Sequence, residues 1–324
     1  MALENKKILL TGGAGFIGSQ IALRLFHKNE IVIFDNLHRN ALAYTDLAES
    51  DNVSVIKGDV LNRDEVMEAA RGCDVLVHLA AIAGVDTVMN MPTLTMKVNL
   101  LGTFNALEAA VAAGVERFID FSTSEVFGSH VYMGEEHDST TLGVVGESRW
   151  TYAVSKLAAE HLTHAYHKEY GLPAVTVRPF NVYGPQQVGI GAIHTFVVEA
   201  LKGNDLEIHG EGTQIRAWCY VDDMVDGVML CLEKDEAIGH VFNIGNPRAT
   251  VTVANLAHLV KRLCNSESRL VYSQRDYVDV ELRIPSIKKA MNMLGYWPRV
   301  DLEEGLERTI EWYRETGDDQ ASKT

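Results

Sequence analysis

The sequence predicts an α/β protein, a doubly wound parallel sheet joined to a smaller, interleaved C-terminal α/β lobe. Three observations predict it. In the first half, short apolar runs alternate with longer stretches whose apolar residues recur at helical spacing. The runs are apolar throughout, the pattern of strands covered on both faces. After Arg178 the chain turns rich in Gly, Pro, Asn and Gln, then continues as helices joined by short strands. At roughly 150 residues per domain, the 324 residues hold about two domains.

Lys7–Thr11 (KILLT) reads as the first strand and 16–27 as a helix. Residues 31–34 (IVIF), Val53–Lys57, 74–78 (DVLVH) and Arg117–Phe121 (RFIDF) read as further strands. One long helix is expected over 93–113 and another over 152–170, followed by a strand at 174–177. Residues 180–193 read as loop, and helices are expected at Ala192–Lys202, 223–232, Val253–Cys264 and 302–314. The division is therefore 1–180 for the first domain, regaining a strand near 241–244, 181–315 mainly for the second lobe, and 316–324 for a tail.

Composition excludes several classes. With 47% hydrophobic and 23% charged residues the chain is neither disordered nor fibrous. Lys+Arg 29 against Asp+Glu 44 gives a net charge of −15, which repels phosphate backbones, so no nucleic-acid partner is expected. Cys73, Cys219, Cys231 and Cys264 lie far apart without metal-binding spacing, and read as reduced thiols. The short polar start leads directly into a strand and no apolar run is long enough to span a bilayer, so a cytoplasmic protein without membrane partner is expected.

Gly12, Gly15 and Gly18 follow the first strand and open the first helix. Glycines at this spacing make a tight turn, admit a pyrophosphate to the backbone and let helix pack on strand. The free N–H groups and dipole of the helix N-terminus then face the phosphates, as in a Rossmann-like site. Asp35 ends the second strand, where a carboxylate suits the ribose diol of NAD and repels the extra phosphate of NADP, although Arg39 lies nearby. Gly58-Asp59-Val60 and Leu79-Ala80-Ala81 end the third and fourth strands, suited to the adenine and nicotinamide ends. Tyr152 and Lys156 are spaced i, i+4 on one helix face, where an ammonium favours the phenolate of a tyrosine base.

Together, the segments TGGAGFIGS (11–19), STSEVFG (122–128), YAVSK (152–156), RPFNVYGP (178–185), RAWCYVDD (216–223) and FNIGN (242–246) resemble the extended short-chain dehydrogenases. These are the NAD-dependent nucleotide-sugar epimerases, dehydratases and decarboxylases, and the resemblance covers nearly the whole chain. It implies an enzyme that oxidises the sugar at C4. Tyr152 would be the base, Lys156 would bind the nicotinamide ribose, and Thr123 would hydrogen-bond the C4 hydroxyl. Asn181 and Arg216 would hold the nucleotide diphosphate, and Arg283 the diphosphate or the sugar. The implied cofactor set adds Phe16, Ile17, Asn36 and Asn99. The family's helix pairing implies a homodimer.

Glu125 bears on which reaction follows, since the Thr123-Ser124-Glu125 pattern is similar to that of 4,6-dehydratases and UDP-glucuronate decarboxylases. Arg149-Trp150-Thr151-Tyr152 and the stretch 279–287 (DVELRIPSI) resemble bacterial decarboxylases of lipid A aminoarabinose synthesis. A UDP-glucuronate decarboxylase-like enzyme is the leading expectation, with Ser124 and Arg283 offsetting the repulsion between Glu125 and a sugar carboxylate. Ala83-Gly84-Val85 and Asn181-Val182-Tyr183 resemble epimerases, so 4-epimerase and 4,6-dehydratase stay open. A non-catalytic NAD-sensing protein is the remote alternative. No metal site is expected: His161, His164 and His167 drift around their helix, and Asp222, Asp223 and Asp226 read as helix-capping residues.

Overall fold

The computed structural model describes residues 1–189, 191–274 and 280–316. The strands Val241–Ile244, Ala174–Pro179, Arg117–Phe121, Val75–His78, Lys7–Thr11, Glu30–Asp35 and Val53–Lys57 lie side by side in that order as a seven-stranded sheet, parallel at every pairing. Helices cover both faces, so central strands such as Val75–His78 are buried along their whole length. The sheet's order reverses at Lys7–Thr11, and the crevice beyond the carboxyl ends of its strands is where such folds bind ligands.

A second sheet orders Thr250–Thr252, Ile215–Ala217, Leu282–Pro285 and His130–Gly134. Its register sets Arg216 beside Arg283 on neighbouring parallel strands. The strand Val241–Ile244 reaches the main sheet from beyond Ile215–Ala217 in sequence, so the chain crosses between the two parts more than once.

The helix expected over 93–113 is interrupted. Pro92–Met96 runs into a π turn, Lys97–Leu101, before Gly102–Ala113 resumes as α-helix. The extra residue in that turn rotates Asn99 inward, where it is fully buried. The expected loop at 180–193 contains a short strand, Val182–Tyr183, and Ile190 within it lies outside the described residues, as do Asp279 and 317–324. Asp223 does not cap its helix. Its carboxylate accepts from the N–H groups of Arg299 (2.7 Å) and Val300 (3.1 Å), fixing the following loop, while Asp226 pairs with Arg24 at 2.7 Å.

Candidate active site

The glycine turn is packed to its limit. Gly12 holds φ +72°, and a Cβ there would lie 2.5 Å from the backbone nitrogen of Ala80. A Cβ on Gly18 would lie 2.7 Å from the carbonyl oxygen of Gly12. At Gly15 the only atom met is the Gly12 carbonyl oxygen at 3.3 Å, so that face is open, and no side chain caps the helix Phe16–Leu25 that starts there. Closed beneath and open outward at a bare helix N-terminus, the turn fits a dinucleotide pyrophosphate. Asp35 is held at the crevice rim, accepting from the N–H groups of Ala14 (3.1 Å) and Leu37 (2.8 Å), and burial raises its pKa. Asn36 instead turns its side chain to the N–H of His38. At the next strand end, Asp59 accepts from Leu61 N–H at 2.9 Å and Val60 is buried against Gly102.

Asn99 holds the backbone at Ile82. Its oxygen accepts from Ile82 N–H (2.8 Å), and its amide donates to Ile82 O (3.1 Å) and Ser155 Oγ (3.0 Å). Fully buried, its side chain ties Ile82, beside the strand end Leu79-Ala80-Ala81, to the tyrosine helix, Thr151–Tyr170.

On the tyrosine helix, Lys156 is buried and donates from Nζ to the carbonyl oxygen of Phe121 at 2.6 Å. Burial pushes the Tyr152 phenol up to about 12, with the Thr123 hydroxyl and Arg283 pulling the other way. Among the charges around the phenol, Glu125 pushes it up and Arg283 pulls it down. Thr123 caps the short helix Ser124–Phe127, its hydroxyl accepting from Glu125 N–H at 3.2 Å, and Ser124 is buried at the start of that helix.

Glu125 is the centre of an ion cluster. Arg149 donates to both its oxygens (2.5 and 3.1 Å), and Arg283 donates to Oε1 at 3.0 Å and to Gly128 O at 3.0 Å. Burial alone would raise the carboxyl, but the two guanidinium groups hold it at about 2. Two cations against one anion leave a net positive charge, and the buried Nε of Arg283 has no hydrogen-bond partner among the described residues. Glu125, Arg149 and Arg283 line a cavity of about 390 Å³ together with Asn181, Arg216, Trp218 and the small residues Ala83 and Gly84. Asn181, at φ +39°, donates to Ala217 O at 2.8 Å, and Arg216 donates to Ile215 O and Val280 O.

Sequence reasoning missed a polar layer behind Lys156. Glu160 accepts from Arg178 Nε (2.8 Å), from Arg178 Nη2 (2.7 Å) and from Ser122 Oγ. Asp120 is fully buried, and burial pushes its pKa from 3.8 to about 6 against the pull of Lys156 and of the Thr163 and Thr176 hydroxyls. The folded state therefore holds this proton more tightly than the unfolded chain. Asp120 costs no stability below about pH 4 and lowers stability as pH rises through about 6. His78, held down at about 3 by burial, tilts the same range the other way, so the difference between variants isolates Asp120. Asp120→Asn is expected to raise the melting temperature at pH 7.5 and to match the native protein near pH 4. An equal difference at both pH values would contradict this.

The geometry agrees with comparisons to known proteins. The profile of the NAD dependent epimerase/dehydratase family matches residues 8–245. UDP-N-acetyl-alpha-D-glucosaminuronate decarboxylase of Bacillus cytotoxicus is 34% identical, over 97% of this chain and 99% of that protein. UDP-glucuronic acid decarboxylase 1 of Xenopus tropicalis is 32% identical, over 98% of this chain and 75% of that protein. Among solved structures, UDP-glucuronic acid 4-epimerase from Bacillus cereus, in complex with UDP-glucuronic acid and NAD, superimposes with a TM-score of 0.87 at 30% identity, covering 96% of this chain and all of that one. The dTDP-glucose 4,6-dehydratase DesIV of Streptomyces venezuelae, with NAD bound, gives a TM-score of 0.86 at 30% identity, covering 95% of this chain and 97% of that one.

Proposed function

The chain belongs to the NAD-dependent epimerase/dehydratase family, and from that premise we propose that its reaction is decarboxylation of a UDP-linked hexuronate, UDP-glucuronate or its 2-acetamido counterpart. It is an enzyme that modifies nucleotide sugars with NAD through a 4-keto intermediate. The observation that carries the narrower reading is the Arg149–Glu125–Arg283 cluster on the cavity wall. A lone Glu125 would repel a sugar carboxylate, whereas the cluster with its surplus cation attracts one. At about 2 the Glu125 carboxyl stays ionised at neutral pH, so its part is to hold the two arginines rather than to move protons.

In this reading Thr123 orients the C4 hydroxyl and Tyr152 takes its proton. NAD, held at the glycine turn and Asp35, would supply the oxidising chemistry at C4 when bound. The C4 ketone makes C6 the carboxylate of a β-keto acid. Breaking the C5–C6 bond sends its electron pair to the C4 oxygen as an enolate, and a proton added at C5 restores the ketone. Arg283, set in register beside Arg216, holds the departing carboxylate while Asn181 and Arg216 hold the diphosphate.

A UDP-hexuronate 4-epimerase is the second reading, because the same cluster would serve a carboxylate that is kept. Both readings expect the NAD-loaded protein to bind UDP-glucuronate about tenfold or more tightly than UDP-glucose, the worth of one charged hydrogen bond. Equal affinities by calorimetry would remove the carboxylate receptor and both readings with it.

The division into a cofactor domain, 1–180, and a nucleotide-sugar lobe, mainly 181–315, belongs to the same proposal. So does a homodimer. Leu94, Leu101, Phe104, Val111 and Val154 are large exposed apolar side chains on 92–113 and the tyrosine helix, and pairing these helices with a second copy would cover them. A cytoplasmic location is supported by the four cysteines, all free thiols.

A further inference from the structure

We infer that Arg39 is a phosphate-binding arm of the cofactor site, the counterion of the dinucleotide's pyrophosphate. Arg39 sits in the loop that follows Asp35, and this loop is tied to the glycine turn, since Ala41 N–H donates to Ala14 O at 2.7 Å. Its side chain reaches from there across the crevice. A Cβ on Gly189 would lie 3.0 Å from Arg39 Nε, and one on Gly84 would lie 3.4 Å from Arg39 Nη2. The guanidinium group thus rests between two glycines, and Gly84 belongs to the substrate cavity.

No carboxylate or hydrogen-bond acceptor among the described residues meets this guanidinium. It is half-buried, and burial alone lowers its pKa. A buried cation without a partner costs free energy in the empty protein, and a doubly charged pyrophosphate at the neighbouring glycine turn repays it. Asp35, anchored on the Ala14 and Leu37 N–H groups, places a negative charge where the extra phosphate of NADP would lie, which argues for the pyrophosphate over that phosphate. The inference needs only NAD dependence, so it stands or falls separately from the sugar reaction.

The test is equilibrium binding to Arg39→Ala and Arg39→Lys, with NAD, ADP, adenosine, NADP and UDP as separate probes. Arg39→Ala is expected to bind NAD and ADP about tenfold or more weakly, with a shallower salt dependence, and adenosine and UDP as the native protein does. Arg39→Lys is expected to recover part of the loss. Because Arg39 gives up no hydrogen bond or ion pair on truncation, the melting temperature without NAD should not fall, and this separates lost binding from lost folding. Unchanged NAD and ADP affinities overturn the inference. A loss confined to NADP would assign Arg39 to the second phosphate instead, and a loss confined to UDP would assign it to the substrate's diphosphate. Either result overturns it too.

Discussion

Tyr152→Phe is expected to lower kcat by about three orders of magnitude, the usual worth of a positioned acid–base group, while NAD and UDP-sugar affinities stay near native. The phenol lies beside the Thr123 hydroxyl, with Glu125, Arg283 and the fully buried Asp120 as its charged neighbours. Glu125 is committed to its arginines and Thr123 to its cap. Burial holds the phenol at about 12 in the empty protein. Ionisation therefore depends on Arg283 and on the positive charge that oxidised nicotinamide brings. The native log kcat/KM should rise with pH across the neutral range, and the residual activity of Tyr152→Phe should lose that slope. A variant with most of its activity and an unchanged pH profile would remove Tyr152 from the chemistry.

Arg283→Met is expected to reduce kcat/KM for UDP-glucuronate by about a hundredfold, more than one charged hydrogen bond's low estimate and near its upper one. Two effects add. The cluster loses its surplus cation, and Glu125 keeps only Arg149 to offset its burial, so its pKa rises toward the ordinary carboxylate range. Removing one partner of a buried ion pair costs about 3–5 kcal/mol, so the melting temperature should fall as well. Binding of UDP alone separates the functional loss from the structural one, since UDP carries no sugar carboxylate and its affinity should hold. A parallel loss of UDP affinity would place Arg283 on the diphosphate.

Much of this site was legible in the residues because its parts are local. KILLT announces a central strand, the glycine spacing announces a turn against it, and Tyr152 with Lys156 shares one helix face. What stayed hidden are relations that only tertiary packing creates. Arg283 meets Glu125 across 158 residues of sequence, and no spacing rule connects them. Lys156 shares the helix face of Tyr152 in sequence, and only the fold shows its ammonium also donating to the Phe121 carbonyl, an acceptor every residue carries. The π turn at Lys97–Leu101 has no residue signature, so the hold of the Asn99 amide on Ile82 and Ser155 shows only in the fold. Asp120 stands within the strand RFIDF, and only the fold shows that its carboxylate is fully buried beside Lys156.

The central claim is that the two arginines around Glu125 receive a carboxylate that then leaves. UDP-glucuronate labelled with carbon-13 at C6, incubated with the NAD-loaded protein and followed by NMR and mass spectrometry, tests it directly. Labelled carbon dioxide and an unlabelled UDP-pentose are the expected products, with both formed about a thousandfold more slowly by Tyr152→Phe. A UDP-hexuronate of unchanged mass with inverted C4 would contradict it and leave the 4-epimerase.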